Sequence, residues 1–393
     1  MKKISTSILE MPSSKIREMF NLAAKMHNVI NFGLGEPAYT AAEHITSAAI
    51  EAIETGKTHY TLNSGILPLR EILSEKMKIK KNVEYDPESE IMITSGGVEA
   101  LFLSLRVILD PGDEVILGAP YFSNYIGQIE MCGAVPVIVD LLEKDQFQYD
   151  VDNLRKAVTS KTKIILINSP SNPTGSVTPE KVLREIANLC IEKDLYLITD
   201  EVYQDFIYGS IPYFSVASVQ DMKERTIIID SFSKTYAMTG WRCGFILGPN
   251  HIVKQAIKIQ ENVVSCVNTP TQYAAISALE GEESTLKEMI AQYAINRELV
   301  VQEIDSIPLL SCIIPQGAFY AFINISKTEM SSENFAIQLL KETGVVLVPG
   351  SGFGEAGEGF VRMSYVSDPE ITKEGLKRIR HFMIHHFTSN AIK

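Results

Sequence analysis

The chain is short of the features that mark small, secreted or membrane-embedded proteins. Its five cysteines, Cys132, Cys190, Cys243, Cys266 and Cys312, are odd in number, far apart and in no Cys-x-x-Cys pair. That spacing argues against a disulfide framework and against a zinc site, and it points to a reducing compartment. No apolar run approaches membrane-spanning length, and Lys2 and Lys3 lead into Ile-Ser-Thr-Ser rather than an apolar export segment; a cytoplasmic protein without a membrane partner is expected. Repeats, biased tracts and a linker are also lacking, so the chain is expected to fold throughout. A basic surplus is missing too. The formal net charge is −12 and the Lys and Arg residues are scattered, which speaks against nucleic acid as a partner and requires locally placed arginines for any anionic ligand.

What is present is length and rhythm. At 393 residues the chain exceeds the size at which one hydrophobic core keeps growing, so more than one domain is expected. From about Glu90, short β-branched runs alternate with amphipathic stretches. Strands are expected at 91–94, 114–117, 135–139, 164–168, 195–199, 226–230 and 244–247, with helices at 98–109, near Tyr125, near Leu154 and at 179–193. Consecutive apolar positions suit the interior of a mostly parallel seven-stranded sheet covered on both faces, an α/β arrangement that binds ligands beyond its strand C-termini. After Gly281 the texture changes to a long polar helix, 282–304, strands at 318–323, 345–348 and 361–365, and a closing helix at 369–386. The expected division is an N-terminal arm, residues 1–45, packed with a smaller α+β domain, residues 281–393, around a large domain, residues 46–280. Residues before 45 read as irregular.

Several residues sit where chemistry is done in such a sheet. Asp200 follows the apolar run Leu195-Tyr-Leu-Ile-Thr199, which places its carboxylate at a strand C-terminus; alone, it could equally begin a loop or cap a helix. The next strand delivers Ser231-Phe-Ser-Lys234 to the same edge. A lysine in that partly desolvated crevice loses basicity and becomes a usable amine nucleophile. The run continues Thr235-Tyr-Ala-Met-Thr-Gly-Trp-Arg242-Cys-Gly244, and its hydroxyls and arginine would present donors to a phosphate. Thr94-Ser-Gly96-Gly97-Val98 joins a strand to a helix, a geometry that aims free amides at an anion, although a Gly-Gly pair also serves as a simple tight turn. Asn168-Ser-Pro-Ser-Asn172-Pro-Thr-Gly175 is by itself an ordinary turn.

Taken in order from Gly35 to Arg362, these segments resemble the class I aminotransferases of the aspartate aminotransferase superfamily, fold type I pyridoxal 5'-phosphate (PLP) enzymes, in their bacterial aspartate aminotransferase branch. The resemblance implies a PLP-dependent transferase that moves an α-amino group from an L-amino acid to a 2-oxo acid, with 2-oxoglutarate the expected acceptor and a ping-pong sequence through one lysine. It implies that Lys234 holds PLP as a Schiff base and shuttles a proton. Asp200 would keep the pyridine nitrogen protonated, and Tyr203 and Asn172 would bond the phenolic oxygen. The amides of Gly96, Gly97 and Val98, with Ser231 and Arg242, would hold the phosphate, and Phe122 would stack on the ring. By the same resemblance Arg362 grips the substrate α-carboxylate, a task suited to its planar fork, helped by Asn172 and the backbone of Gly35. Tyr60 matches a tyrosine that reaches the neighbouring subunit's phosphate, which implies a homodimer with shared sites. No metal is expected.

Two positions depart from the pattern of an aspartate-specific member. Cys243 stands where an aliphatic residue is usual, a packing change. Val98 stands where acid-specific members of this branch can carry a lysine, and valine cannot pair a side-chain carboxylate, so a neutral or aromatic donor is open. Ile16 and Asn262 are expected near the side-chain pocket. A PLP lyase or synthase of the same fold remains the rival reading, because the cofactor residues serve those reactions as well. A PLP-sensing regulator would need a DNA-binding module, for which the expected architecture leaves no room ahead of Gly35.

Overall fold

The computed structural model describes residues 15–388, together with Ile4, Ser5 and Leu9. Strand β1 (Ile30–Asn31) precedes two helices, Glu43–Glu54 and Leu67–Lys81. The chain then winds through β2 (Ile91–Thr94), β3 (Glu114–Ala119), β4 (Val135–Asp140), β5 (Thr162–Asn168), β6 (Tyr196–Asp200), β7 (Thr226–Ser231) and β8 (Gly244–Leu247). These seven form one sheet in the order β2-β8-β7-β6-β5-β3-β4. All neighbours are parallel except β8, which runs antiparallel to both β2 and β7. Because β8 is reversed, β2 and β7 point the same way, and their C-terminal ends meet the N-terminal end of β8 at one edge.

The central strands are buried along nearly their whole length, as expected for parallel strands covered by helices on both faces. One covering layer packs Leu101, Leu105, Ile252 and Ala256 on Ile198, Ile227 and Ile229. The other packs Leu183, Ile186 and Ala187 on Ile165, Ile167 and Leu197. Alternate residues of β5, β6 and β7 thus face opposite layers.

The C-terminal part builds a four-stranded antiparallel sheet, β12-β13-β10-β9, from β9 (Ser311–Cys312), β10 (Tyr320–Asn324), β12 (Val348–Pro349) and β13 (Phe360–Ser364), and a parallel pair of β1 with β11 (Val345–Val346). The single strand expected at 345–348 is in fact two, shared between sheets: Val346 accepts from the Phe32 amide while Val348 faces Arg362 across the next sheet. The N-terminal segment is less irregular than its Pro and Gly content suggests, since Lys15–Ala23 is a helix whose Met19 and Ala23 pack on Ala336, Leu340 and Val346. The helices Glu43–Glu54 and Leu67–Lys81 also go beyond the sequence reading; the second starts with proline in its first turn and stops at Asn82 in the left-handed region, both ordinary helix boundaries. The closing helix ends at Met383 and passes into a π turn, Ile384–Thr388. No helix among the described residues is long and apolar enough to cross a membrane, and the five cysteines are free.

Candidate active site

Three neighbouring strands end side by side with polar residues: β5 in Asn168, β6 in Asp200 and β7 in Ser231. Together with the β2 loop and the returning β13, they surround a cavity of about 300 Å³ whose lining includes Gly35, Gly97, Val98, Phe122, Asn172, Asp200, Tyr203, Ser231, Lys234, Arg242 and Arg362. The size is at the lower end for small-molecule sites. Eleven expected positions, scattered over more than 300 residues of sequence, therefore line one cavity.

Lys234 lies on a four-residue helix, Phe232–Thr235, launched directly from β7 and pinned by a 2.8 Å bond from the Thr235 hydroxyl to Asp205. Its Nζ donates to the Gly35 carbonyl at 2.5 Å. Burial lowers its pKa to about 8; Glu36 pulls the other way, and the Arg362 and Arg242 charges add to the lowering. Asp200 is pushed up to about 6, chiefly by burial, with Tyr125 counteracting. The Tyr125 hydroxyl donates to Asp200 Oδ2 at 2.7 Å, the Val202 amide donates to Oδ1 at 3.3 Å, and the Asn168 side chain donates to the Asp200 carbonyl at 2.9 Å. The carboxylate is thus held from behind.

On one side of the cavity is a cradle without side chains. Gly96, at φ +85°, precedes the helix Gly97–Ile108 and offers no side-chain cap to its first amides. A Cβ on Gly96 would lie 2.3 Å from Arg242 Nη2, so arginine and cradle can approach only because position 96 is glycine. Arg242 is itself left-handed, at φ +57°, and donates to the Thr239 and Ser95 carbonyls at 2.8 and 3.2 Å. Ser231 Oγ accepts from the Ser233 amide at 3.2 Å. The Gly96 amide itself donates to the Thr94 carbonyl at 2.8 Å, so the amides on offer are the first two of the helix, those of Gly97 and Val98; with a hydroxyl and a guanidinium at a helix N-terminus they make an anion site.

Arg362 closes the opposite side. Although its side chain is almost wholly buried, it meets no carboxylate among the described residues: Nη1 donates to Asn172 Oδ1 at 2.8 Å, Nη2 donates to the Gly33 carbonyl at 2.7 Å, and Nε has no partner among those residues. A buried guanidinium with neutral partners and an unused donor is suited to an external carboxylate. Between the two sides, the Tyr203 and Tyr320 hydroxyls lie 2.8 Å apart. Burial, then Tyr320, holds the Tyr203 hydroxyl well above its usual pKa, so it remains a proton donor. The Phe122 ring meets Tyr125 edge-on, with centroids 5.6 Å apart, and the Val98 carbonyl accepts from Gln128 at 2.8 Å.

Two expected residues stand apart from this chain's cavity. Tyr60 is 89% exposed. Asn262 is on the outer face of the helix Asn250–Val263, where its side chain donates to the Lys258 carbonyl, and it is not part of the lining of this chain's cavity. The side chain of Ile16 lies outside the described residues. Cys243 is buried among apolar neighbours such as Leu69 and Phe245. The sequence reading missed Tyr125, Tyr320 and the apolar lining by Phe20, Leu34 and Leu101. Tyr125 could have been found as the helical residue just beyond the Pro120-Tyr-Phe122 strand end, whereas Tyr320 carries no local signal apart from strand alternation with Phe322.

The pattern of the family described as aminotransferase class I and II matches residues 27–379. An aspartate aminotransferase of Pyrococcus abyssi is 43% identical over 93% of this chain and 94% of its own length. An aromatic-amino-acid aminotransferase of Thermococcus litoralis is 42% identical over the same shares. Among solved structures, an aromatic aminotransferase of Pyrococcus horikoshii superposes with a TM-score of 0.89 at 41% identity, covering 94% of this chain and 99% of that one. The aspartate aminotransferase of Thermus thermophilus with maleate gives 0.93 at 33% identity, covering 97% and 100%.

Proposed function

From the premise that this chain belongs to the class I and II aminotransferase family, and so is a PLP-dependent, fold type I transaminase, we propose that Lys234 carries the cofactor and moves the proton that amino transfer requires. The observation that supports this most is the convergence of a deprotonatable buried amine, a buried carboxylate, a glycine cradle and an unpaired arginine on one cavity.

The residues present fit the cofactor. The amides of Gly97 and Val98, with Ser231 and Arg242, form an anion cradle that a Cβ on Gly96 would obstruct. Asp200, buried and braced by Tyr125, is the partner for a ring nitrogen. Tyr203 and Asn172 are placed to donate to a phenolic oxygen, and Phe122 offers an aromatic face. When bound, PLP supplies an electron sink for charge developing at the substrate Cα. The chain's own residues do the rest. Arg362 and Asn172, with the Gly35 backbone, orient the α-carboxylate. The Lys234 amine, near pKa 8, is close enough to neutrality to take up and return a proton. Asp200 and Tyr203 are buried at the cavity floor, where the low dielectric strengthens their bonds.

For the substrate, we read the donor as an L-amino acid with a neutral or aromatic side chain and the acceptor as 2-oxoglutarate. The cavity that holds Arg362 is also lined by Phe20, Leu34, Val98 and Leu101, which favour apolar contact over a second carboxylate. Relatives named for aspartate and for aromatic amino acids both occur. The proposed division is a large domain over residues 46–280 and a small one over 281–393, with residues 1–45 an N-terminal arm that supplies part of the small domain. The exposed Tyr60, alongside exposed Leu62, Val263 and Val264, supports a homodimer in which Tyr60 reaches the second subunit's phosphate site, and the cytoplasm is the proposed location.

The deciding experiment is a visible spectrum of the purified protein, followed by single amino acids without any oxo acid. A yellow protein bleached by one amino acid and recoloured by 2-oxoglutarate is the expected result, and Lys234→Ala should abolish both responses. Release of ammonia and pyruvate from a β-substituted amino acid, with no aminated oxo acid formed, would refute amino transfer as the main reaction.

A further inference from the structure

Resting on the reading of Lys234 as the cofactor lysine, we propose that Tyr320 is a positioning residue that sets two arms of the site together, its hydroxyl directing the Tyr203 hydroxyl and its ring fixing the plane of the Arg362 guanidinium. Tyr320 opens β10, which pairs antiparallel with β13 so that Phe322 faces Arg362 and Tyr320 faces Ser364. With a two-residue period, Tyr320, Phe322 and Arg362 share one face of the sheet. The guanidinium carbon lies 4.4 Å from the centroid of the Tyr320 ring and 5.0 Å from that of Phe353. Two aromatic contacts leave the fork little freedom to tilt, although its hydrogen-bond partners among the described residues are the neutral oxygens of Asn172 and Gly33.

The hydroxyl end has its own logic. Tyr203 and Tyr320 are 2.8 Å apart, and either could donate to the other. If Tyr203 spends its proton on the cofactor's phenolic oxygen, its own oxygen is left as an acceptor, and Tyr320 is the adjacent donor. A donor bonded in this way polarises the next O–H and strengthens it. The same hydroxyl explains Gly35, since a Cβ there would lie 2.4 Å from Tyr320 Oη, while the carbonyl of Gly35 receives Lys234. One buried side chain therefore touches the lysine's partner, the phenolic-oxygen donor and the carboxylate fork. A tyrosine that merely filled the core would have no reason to meet all three.

Two variants test this. In Tyr320→Phe the ring remains, so KM for the amino donor should stay within about twofold. The pH midpoint of the holoenzyme's visible absorption should rise by about half a unit, because a weaker Tyr203 donor leaves the phenolic oxygen more basic. In Tyr320→Leu the ring is lost as well, and KM should rise by about tenfold with a smaller fall in kcat. A purely structural role would lower thermal stability without moving the absorption midpoint. An unchanged midpoint in Tyr320→Phe overturns the proposal, as does an unchanged KM in a folded Tyr320→Leu; if the leucine variant fails to fold, the phenylalanine variant decides alone. Failure of the Lys234 reading is distinguishable, because the parent protein would then show no lysine-bound colour at all.

Discussion

The amine of Lys234 can be titrated by its reactivity, and the structure fixes both the sign and the size of the expected effect. Burial penalises the ammonium form and brings the pKa to about 8, whereas a lysine ordinarily titrates near 10.5. A folded-state value below the unfolded one means that the proton costs stability below about 8 and that the cost fades as pH rises toward 10.5. At pH 7 such an amine is neutral in roughly one molecule in ten, about 300 times more often than a solvated lysine. Cofactor-free protein pulsed with trace acetic anhydride between pH 6 and 10, with the Lys234 peptide quantified by mass spectrometry, should show labelling that rises about tenfold per unit to pH 7.5 and levels above 9. Because Glu36 is the largest charge opposing this lowering, Glu36→Gln should move the midpoint further down. Labelling that still climbs tenfold per unit at pH 10 would refute the argument, since it would mean that the cavity does not desolvate the amine.

The other side chains give sharp expectations as well. Asp200, raised to about 6 by burial, costs the empty fold nothing below pH 3.8 and its full penalty above 6, so Asp200→Asn should stabilise cofactor-free protein at pH 7.5 by up to ~3 kcal/mol. In urea titrations that gain should shrink by about half at pH 5, while amino transfer is lost; a variant less stable than the parent at pH 7.5 would contradict this. Tyr125→Phe removes the 2.7 Å donor to Asp200 and should reduce kcat by about tenfold with little change in KM, measured by steady-state kinetics. Arg362→Lys replaces the planar fork by a point charge and should raise KM for amino donor and oxo acid by about 10- to 100-fold, so an unaltered KM would place the carboxylate elsewhere.

The central sheet is legible in the sequence because its strands are buried on both faces and read as unbroken apolar runs, as in Ile164–Ile167 and Thr226–Ile229. The N-terminal helices are not. In Lys15–Ala23 the buried residues among the described side chains are Met19 and Ala23, and their packing partners Ala336, Leu340 and Val346 lie over 300 residues away, so no local window records why it is a helix. The split of 345–348 is likewise a tertiary fact: Val346 bonds Phe32 and Val348 pairs with Arg362, and only the three-dimensional arrangement assigns neighbouring valines to different sheets.

The same distinction governs the site. Residues whose chemistry depends on a backbone device, a strand end or a glycine turn, leave a spaced trace, which is why Asp200, Lys234, Gly96 and Arg242 stand out in the sequence. Residues that act by orienting others leave none, because their requirement is a contact and not a motif. Tyr125 is placed by the helix Asn124–Met131, packed against β4 and the helix Gly97–Ile108, and Tyr320 by the register between β10 and β13, and either would read as an ordinary core aromatic. Gly35 links the two kinds: its glycine is visible in the sequence, but the reason for it, a hydroxyl 2.4 Å from where a Cβ would stand, belongs to Tyr320, 285 positions later in the numbering. A substitution at Gly35 should therefore act through Tyr320 and Lys234 together, since any side chain must displace the hydroxyl of one while straining the carbonyl that receives the other.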